Sequence, residues 1–351
     1  HVIRAGEMAQ RTPKGPTYLA VSTETLMDVW TAPDRSRTVP VAPRLHTAPE
    51  DIKKLADHLA HAKNPVVLTE AAGQDVAAFE ALVELCEMLS LPVIEKPAAL
   101  FSNFPKDNTL HQGHDFGQYW GETDLVIVIR CRAPWYPPSK SPPNAIVVMI
   151  DEVPHRSSMV YQSHQADMYL EGDVACTLQD LIQAMRKRGV DKEIIAEKRA
   201  GLAQTHDKLT TKRAAEHEAS RKATPIDPVW LCACLNAVMP GNTTYIDEVT
   251  THTPLLREHI MWKSPQSLYT RQGGLGQGLG LSLGIKLAKP ESPVVTLIGD
   301  GAFLYNPVLQ SLGASRDFGL PIMAVIFNND KYAAMQGMHL KMYPKGIAAD
   351  T

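Results

Sequence analysis

Residues 294–329 read VVTLIGDGAFLYNPVLQSLGASRDFGLPIMAVIFNN, and this stretch decides the fold of the chain. The β-branched run Val294–Ile298 lies between a proline and a glycine and predicts a buried strand. Helical spacing follows over 306–318, and a second apolar strand is predicted at Ile322–Phe327. The predicted apolar face of the helix comprises Leu309, Leu312 and Phe318. A right-handed crossover makes such strands parallel, so their carboxyl ends share one sheet edge.

Oxygen-bearing side chains follow both strands at that edge. Asp300 stands between two glycines after the first strand, and Asn328-Asn329 follow the second. Mg²⁺ prefers oxygen ligands and completes its shell with water and phosphate, so one interpretation is a divalent-cation site. The other is an ordinary βαβ unit in which Asp300 occupies a turn and the asparagines cap a strand. The residues alone leave both interpretations open.

The spacing of these groups is more specific than either group alone. Gly-Asp-Gly, 26 intervening residues and Asn-Asn resemble the cofactor signature of thiamine-diphosphate enzymes, of the acetolactate synthase and benzoylformate decarboxylase type. The resemblance extends over essentially the whole chain, but only the last hundred or so residues carry specific motifs. It implies Mg²⁺ ligands at Asp300, Asn329 and the main-chain carbonyl of Lys331. The cofactor-binding positions that it implies are Thr250, Thr251, His252, Gly274, Leu275, Gly299, Gly301, Ala302, Asn329 and Tyr332.

The diphosphate positions have a physical reason of their own. Thr250, Thr251 and His252 follow a strand predicted at 243–247, where a new helix begins. Hydroxyls and free N–H groups at a helix N-terminus suit phosphate. A simple threonine cap is the alternative, and the resemblance favours the diphosphate.

The glycine-rich run at 273–284 does not have the spacing of a dinucleotide loop, and no strand is predicted before it. Gly276, Gly280 and Gly284 are spaced by four, which predicts one helix face packed closely against a neighbour. For Leu275, the resemblance implies a side chain that wedges under the cofactor and bends it. The alternative is a core leucine.

Composition limits the class of protein. The 351 residues carry a net charge of −3, with 21 % charged and 44 % hydrophobic residues, which is ordinary for a globular protein. No basic stripe predicts nucleic-acid binding, and no apolar run predicts a membrane span or signal peptide. Five scattered cysteines are typical of a reducing compartment, so we expect a cytoplasmic protein.

The predicted fold class is α/β, with two open, mostly parallel-sheet domains. Residues 36–190 form the central domain, 191–227 an interdomain helix with surface histidines at 206 and 217, and 228–351 the diphosphate-binding domain. Residues 1–35, with a helix at the start and a strand at 15–21, are expected to be a remnant of a pyrimidine-binding domain that is largely missing. A proline-rich linker is predicted at 33–49. The last domain is expected to be truncated, without a closing helix or strand after Lys341.

The central domain of flavin-dependent acetolactate synthases carries FAD, with a glycine and an arginine after one strand. Arg130 stands here at the glycine position, although Arg132 is retained, so we expect no FAD. The family's activating glutamate belongs to the N-terminal domain, so the catalytic residue is unknown. We expect the isolated chain to bind the cofactor weakly and to be inactive.

Three functions stay open. The favoured one is a thiamine-diphosphate- and Mg²⁺-dependent decarboxylase or carboligase of a 2-oxo acid, present as a homodimer or homotetramer. The second is a non-catalytic binding or regulatory chain of the same fold. The third is a nucleotide-binding α/β enzyme in which Asp300 holds Mg²⁺ for another diphosphate.

Overall fold

The structure, a computed structural model, describes residues 1–31, 40–155, 165–270 and 273–346. The linker predicted at 33–49 lies partly outside these residues; of its described part, 40–48 has no regular secondary structure and Pro49 begins the next helix. The end of the predicted irregular tail, 347–351, also lies outside them. Within the described residues, no helix is both long and apolar enough to cross a bilayer.

The first residues form a helix but no strand. Helix α1 (Val2–Gln10) and helix α2 (Thr23–Met27) have no buried residue. The strand predicted at 15–21 is wrong, because this segment runs without sheet pairing and its side chains are exposed. A short apolar run after a turn forms a strand only where another strand offers hydrogen-bonding partners.

The first α/β domain has a five-stranded parallel sheet in the order β2-β1-β3-β4-β5. Its elements are α3 (Pro49–His61), β1 (Pro65–Thr69), α4 (Val76–Leu89), β2 (Val93–Glu95), β3 (Leu125–Ile129), β4 (Ile146–Asp151), β5 (Met168–Glu171) and α5 (Val174–Arg188). The predicted central-domain elements are all present. The four-residue strand β5 was not predicted, because its sequence MYLE is too short to indicate a strand.

The second α/β domain has a four-stranded parallel sheet in the order β7-β6-β8-β9. Its elements are α7 (Pro228–Val238), β6 (Thr244–Glu248), α8 (Thr253–His259), β7 (Leu268–Thr270), α9 (Gly278–Ala288), β8 (Val294–Gly299), α10 (Asp300–Tyr305), α11 (Val308–Asp317), β9 (Met323–Phe327) and α12 (Ala333–Met342). The predicted fold class, two parallel-sheet α/β domains, is confirmed.

Three local predictions in this domain are wrong. A strand, β7, does precede the glycine-rich run. The helix predicted at 306–318 starts at Val308, and a separate helix, α10, begins at Asp300 itself. The apolar face predicted for that helix is exposed, with Leu309 at 82 % and Phe318 at 76 %. Strand β9, present as predicted, is an edge strand in which only Phe327 is buried.

A 29-residue helix, α6 (Lys192–Ser220), lies between the two domains, as predicted for the charged stretch. The expectation of surface histidines on this helix is wrong for His206, which is buried and bonds through Nδ1 to the carbonyl of His111 at 2.9 Å. His217 is half-buried, with Nε2 3.1 Å from His259 Nδ1. The helix therefore packs against both domains. Its charged residues are spread all round it, so the sequence did not indicate which face is buried.

Candidate functional site at the carboxyl edge of the second sheet

The second sheet brings three of the predicted segments to one edge. Strand β6 leads to the turn at 249–252, β8 leads to Asp300, and β9 leads to Asn328-Asn329. Because β8 lies between β6 and β9, and Gly299 pairs with Phe327, the three segments leave neighbouring strands side by side. The expected convergence of Asp300 and Asn329 at one edge follows directly from this order.

The segments after β8 and β9 touch each other. A Cβ on Gly301 would lie 3.1 Å from the Tyr332 ring, so a glycine lets α10 approach the turn at 328–332. In that turn the amide oxygens of Asn328 and Asn329 accept from the N–H groups of Asp330 (2.9 Å) and Lys331 (3.2 Å). Asp330 has the left-handed φ of +56° that this tight turn requires. Asp300, half-buried, is the first residue of α10.

The buried carboxylate of Asp247 fixes the turn after β6. Asp247 Oδ1 accepts from Val249 N at 3.0 Å and from the Thr253 hydroxyl at 3.2 Å, and Oδ2 lies 3.1 Å from Arg257. Thr250 and Thr251 are exposed above it. Burial lowers the pKa of the half-buried His252, the residue that caps α8. The turn is therefore rigid at its base and presents polar groups at its surface.

The glycines of the 273–284 run do not all serve the predicted purpose. Gly276 has φ +86°, and a Cβ there would lie 2.6 Å from the Tyr305 carbonyl, so only glycine fits. Gly280 and Gly284 would meet nothing within 4 Å, so the predicted close packing of that helix face is wrong. A Cβ on Gly278, which was not singled out, would meet Glu248 Oε2 at 2.5 Å.

Leu275 lies in the loop before α9 and is 44 % exposed. The alternative of a core leucine is therefore wrong for the described part of the chain. Gly274 beside it is also exposed, whereas Ala302, the third residue of α10, is buried. The apolar side chain of Leu275 stands in the loop between β7 and α9, and β7 pairs with β6.

Sequence reasoning missed Glu248, which joins three of these segments. Its buried carboxylate accepts from the N–H groups of Gln277 (3.0 Å) and Gly278 (2.9 Å) at the start of α9. It also accepts from Asn306 Nδ2 at 3.0 Å. Asn306, which follows the last residue of α10, accepts from Leu279 N and donates to the carbonyl of Ala302. A carboxylate at a helix N-terminus is favourable, and here it fixes the glycine-rich loop relative to α10.

A second group of possible metal ligands lies in the first domain. One ligand atom each of Glu95, His111 and His114 lies within 4.8 Å of the others. Gly113 N–H donates to His111 Nδ1, which places the ring proton on Nε2, 3.5 Å from Glu95 Oε2. His114 Nε2 lies 2.9 Å from the carbonyl of Arg257. The cluster is therefore a buried polar junction, in which His114 bonds to the second domain while His111 Nε2 and Glu95 Oε2 face each other without a hydrogen bond.

The residues after β3, where the flavin-dependent relatives have their glycine and arginine, form ion pairs in this chain. Arg130 has a left-handed φ of +42°, which suits glycine better, and its guanidinium pairs with Glu152. Arg132 pairs with Glu70, with Nε 2.9 Å from Oε1. The absence of FAD stays a prediction that these contacts support.

Comparison with known protein families now defines the class. Residues 52–181 match the thiamine pyrophosphate enzyme central domain, and residues 248–350 match the thiamine pyrophosphate enzyme C-terminal TPP binding domain. Together these matches span most of the chain. The chain belongs to the thiamine pyrophosphate enzymes, as the resemblance predicted.

Individual relatives are similar at low identity. Benzoylformate decarboxylase from Pseudomonas aeruginosa is 24 % identical over 95 % of this chain and 61 % of its own length. A probable acetolactate synthase large subunit from Methanococcus aeolicus is 25 % identical over 93 % of this chain and 57 % of its own. The chain thus spans about three fifths of these relatives. The crystal structure of benzoylformate decarboxylase from Polynucleobacter necessarius shares the fold with a TM-score of 0.76, at 22 % identity, over 99 % of this chain and 64 % of that one.

Proposed function

We propose that this chain holds thiamine diphosphate and Mg²⁺ at the carboxyl edge of its second sheet and takes part in decarboxylation or carboligation of a 2-oxo acid. One observation carries the proposal. Asp300, the Asn329 turn and the turn at 249–252 leave three neighbouring parallel strands at the same edge. Open α/β sheets bind ligands outside the carboxyl ends of their strands.

The donor groups fit the metal. Asp300 offers a carboxylate, Asn329 an amide oxygen and Lys331 a main-chain oxygen, and Mg²⁺ prefers such hard oxygen ligands. Asp300 would supply the only charge in the set. Mg²⁺ held there would offset the charge of a diphosphate bound to the neighbouring turn.

The remaining residues fit the organic part of the cofactor. Thr250, Thr251 and His252 would donate to the diphosphate, on a turn that Asp247 fixes from below. The half-exposed Leu275 would contact a ring of the cofactor, and Glu248 fixes the loop that carries it. Thiamine diphosphate, when bound, supplies the nucleophilic carbon that adds to the 2-oxo acid. The residues of this chain bind and orient it.

The test is a calorimetric titration of thiamine diphosphate with Mg²⁺ into the wild-type chain and Asp300→Ala. We expect the mutant to lose Mg²⁺-dependent binding, at least about a hundredfold in affinity, because a charged ligand is removed. Asp317→Ala is the matched control, since Asp317 is an exposed aspartate of the same domain. Equal affinities of wild type and Asp300→Ala would contradict the proposal.

A non-catalytic chain of the same fold is the second candidate. The buried carboxylates beside the edge are already engaged, Glu248 by three N–H donors and Asp247 by Arg257, so neither offers itself as a proton-transfer group. Carbon dioxide release from pyruvate and from benzoylformate distinguishes the two candidates. Turnover supports the enzyme, whereas Mg²⁺-dependent binding without turnover supports the second candidate.

We also infer a homo-oligomer in a reducing compartment such as the cytoplasm. Helix α11 and strand β9 expose large apolar side chains that a second copy would cover. All five cysteines are free thiols.

A further inference from the structure

A buried lysine makes several of the contacts between the first domain and the second. Lys106 follows β2 in the chain and is fully buried. Its ammonium donates to the main-chain carbonyls of Arg257, Glu258 (3.2 Å) and Ile260 (2.7 Å). These carbonyls form the C-terminal end of α8. An ammonium at a helix C-terminus satisfies carbonyls that have no partner within the helix and complements the helix dipole.

Further contacts make this attachment rigid. The Lys106 main-chain N–H donates to the carbonyl of Trp262 at 3.0 Å, and its ammonium lies 4.1 Å from the centre of the Trp262 ring. The His114 ring, also from the first domain, bonds to the same Arg257 carbonyl. Lys106 is therefore fixed by several partners, all of them at or just after the end of one helix.

That helix begins at the candidate diphosphate turn. Helix α8 has seven residues, so its two ends are only about 10 Å apart. His252 caps its start, and the turn at 249–252 leads into it. A short, rigid helix transmits a shift at one end directly to the other.

We propose that Lys106 is a positioning residue of the diphosphate turn: hydrogen bonds from its side-chain nitrogen tie the C-terminal end of α8 to the first domain and so set the position of residues 249–252. What the turn binds rests on the proposed function. The positioning role of Lys106 does not depend on the proposed function, so an experiment can contradict either claim without the other.

The test compares Lys106→Met with Lys263→Met. Lys263 is a close control, because it pairs with Asp107 across the same two segments at 2.8 Å but is exposed. Hydrogen exchange followed by mass spectrometry reports on the turn without any cofactor. We expect amides of 249–262 to exchange about tenfold faster in Lys106→Met and unchanged in Lys263→Met, with α9 and β8 unchanged in both.

Cofactor titration gives the second readout. Lys106→Met should bind thiamine diphosphate with Mg²⁺ about tenfold more weakly than wild type at the same stoichiometry. If the wild-type chain binds no thiamine diphosphate, the proposed function fails while the exchange result still decides the role of Lys106. Wild-type exchange at 249–262 in Lys106→Met, or equal acceleration across the whole second domain, would overturn the positioning role.

A milder substitution, Lys106→Gln, tests the proposal if Lys106→Met does not fold. Should Lys106→Met fail to fold, Lys106→Gln keeps two N–H donors in a shorter side chain. It should show the same local acceleration at 249–262, with a smaller amplitude. No acceleration in a folded Lys106→Gln would then count against the proposal.

Discussion

The two domains use similar apolar strands in different ways. In the first domain, β3 (LVIVI) is buried at every position. In the second, β9 (MAVIF) is equally apolar, yet Phe327 alone among its residues is buried. The reason is cover on the two faces of the sheet, since edge strand β2 of the first sheet is also fully buried. Side chains of β3 pack into a buried cluster with Leu82 and Leu178 on one face and into another with Phe116 and Trp135 on the other, whereas the described residues bury β9 only at Phe327. An apolar run therefore predicts a strand, but the neighbours of that strand decide whether it is covered.

The carboxyl edges of the two sheets differ in how their charged and polar side chains are partnered. At the first sheet, Arg130 pairs with Glu152 and Arg132 with Glu70, so the charges compensate one another within the chain. At the second sheet, Asp300 is half-buried at the start of α10, and the turns beside it are exposed. The ion pairs neutralise the charges of the first edge, whereas the polar side chains at the second edge are half-buried or exposed. This contrast supports our proposal that the ligand binds at the second domain.

The contrast in burial predicts the largest effect. Leu82→Ala in α4 removes a fully buried side chain from the core of the first domain and should cost about 2–5 kcal/mol of unfolding free energy. Leu309→Ala, at an exposed site of α11, should change it by less than about 0.5 kcal/mol. Urea unfolding measures both. Similar losses would mean that the face of α11 is covered in solution.

Glu248→Gln tests whether a buried carboxylate fixes the glycine-rich loop at the edge of the second sheet. The amide NH₂ of glutamine would face N–H donors of Gln277, Gly278 or Asn306, so we expect a loss of about 1–3 kcal/mol. Thiamine diphosphate binding should weaken in parallel, because the glycine-rich loop loses its anchor. Glu291→Gln, an exposed glutamate in the same domain, is the control. A stable Glu248→Gln with unchanged affinity would refute this role.

The junction between the domains predicts a pH effect. Burial, with Arg213 and Arg257, lowers the pKa of Lys106 to about 7 from its ordinary 10.5, against the opposite effect of Glu95 and Glu258. The other titratable groups that face it are His111, His114 and Cys232. Between pH 7 and 9 the unfolded chain therefore binds more protons, and the unfolding free energy should rise with pH.

In Lys106→Met, the unfolding free energy should rise less steeply with pH, by about 1 kcal/mol per pH unit. Above about pH 9 the buried thiols act in the opposite direction, because burial raises the pKa values of Cys86 and Cys131. Urea unfolding at pH 7.5 and at pH 8.5, buffer conditions chosen inside the window of about 7 to 9, measures the difference. Parallel pH dependence in wild type and mutant would exclude a buried, titrating Lys106.

The smallest change in stability is expected at the exposed face. Phe318→Ser should alter the unfolding free energy by less than about 0.5 kcal/mol, because the side chain is exposed in the described chain. It should nevertheless weaken self-association in sedimentation equilibrium, since it removes apolar surface that a second copy would cover. Unchanged association would place the interface elsewhere.

The sequence predicts the second domain well where residues act locally. Val294–Ile298, Gly-Asp-Gly and Asn-Asn predict two strands and their polar ends, and the structure places these ends on adjacent strands. Glu248 and Lys106 could not be predicted, because their partners lie 29 or more residues away in the sequence. A glutamate directly before a threonine-rich turn was the available signal for Glu248. A lone lysine in a loop gives none.

Calorimetric titration of thiamine diphosphate into the wild-type chain, with excess Mg²⁺ and again with a chelator, tests the central claim most directly. ATP and NAD serve as competing ligands with the same diphosphate chemistry. The account predicts saturable binding of one thiamine diphosphate per chain that requires Mg²⁺ and is not matched by ATP or NAD. Binding that survives chelation, or equal binding of ATP, would contradict it.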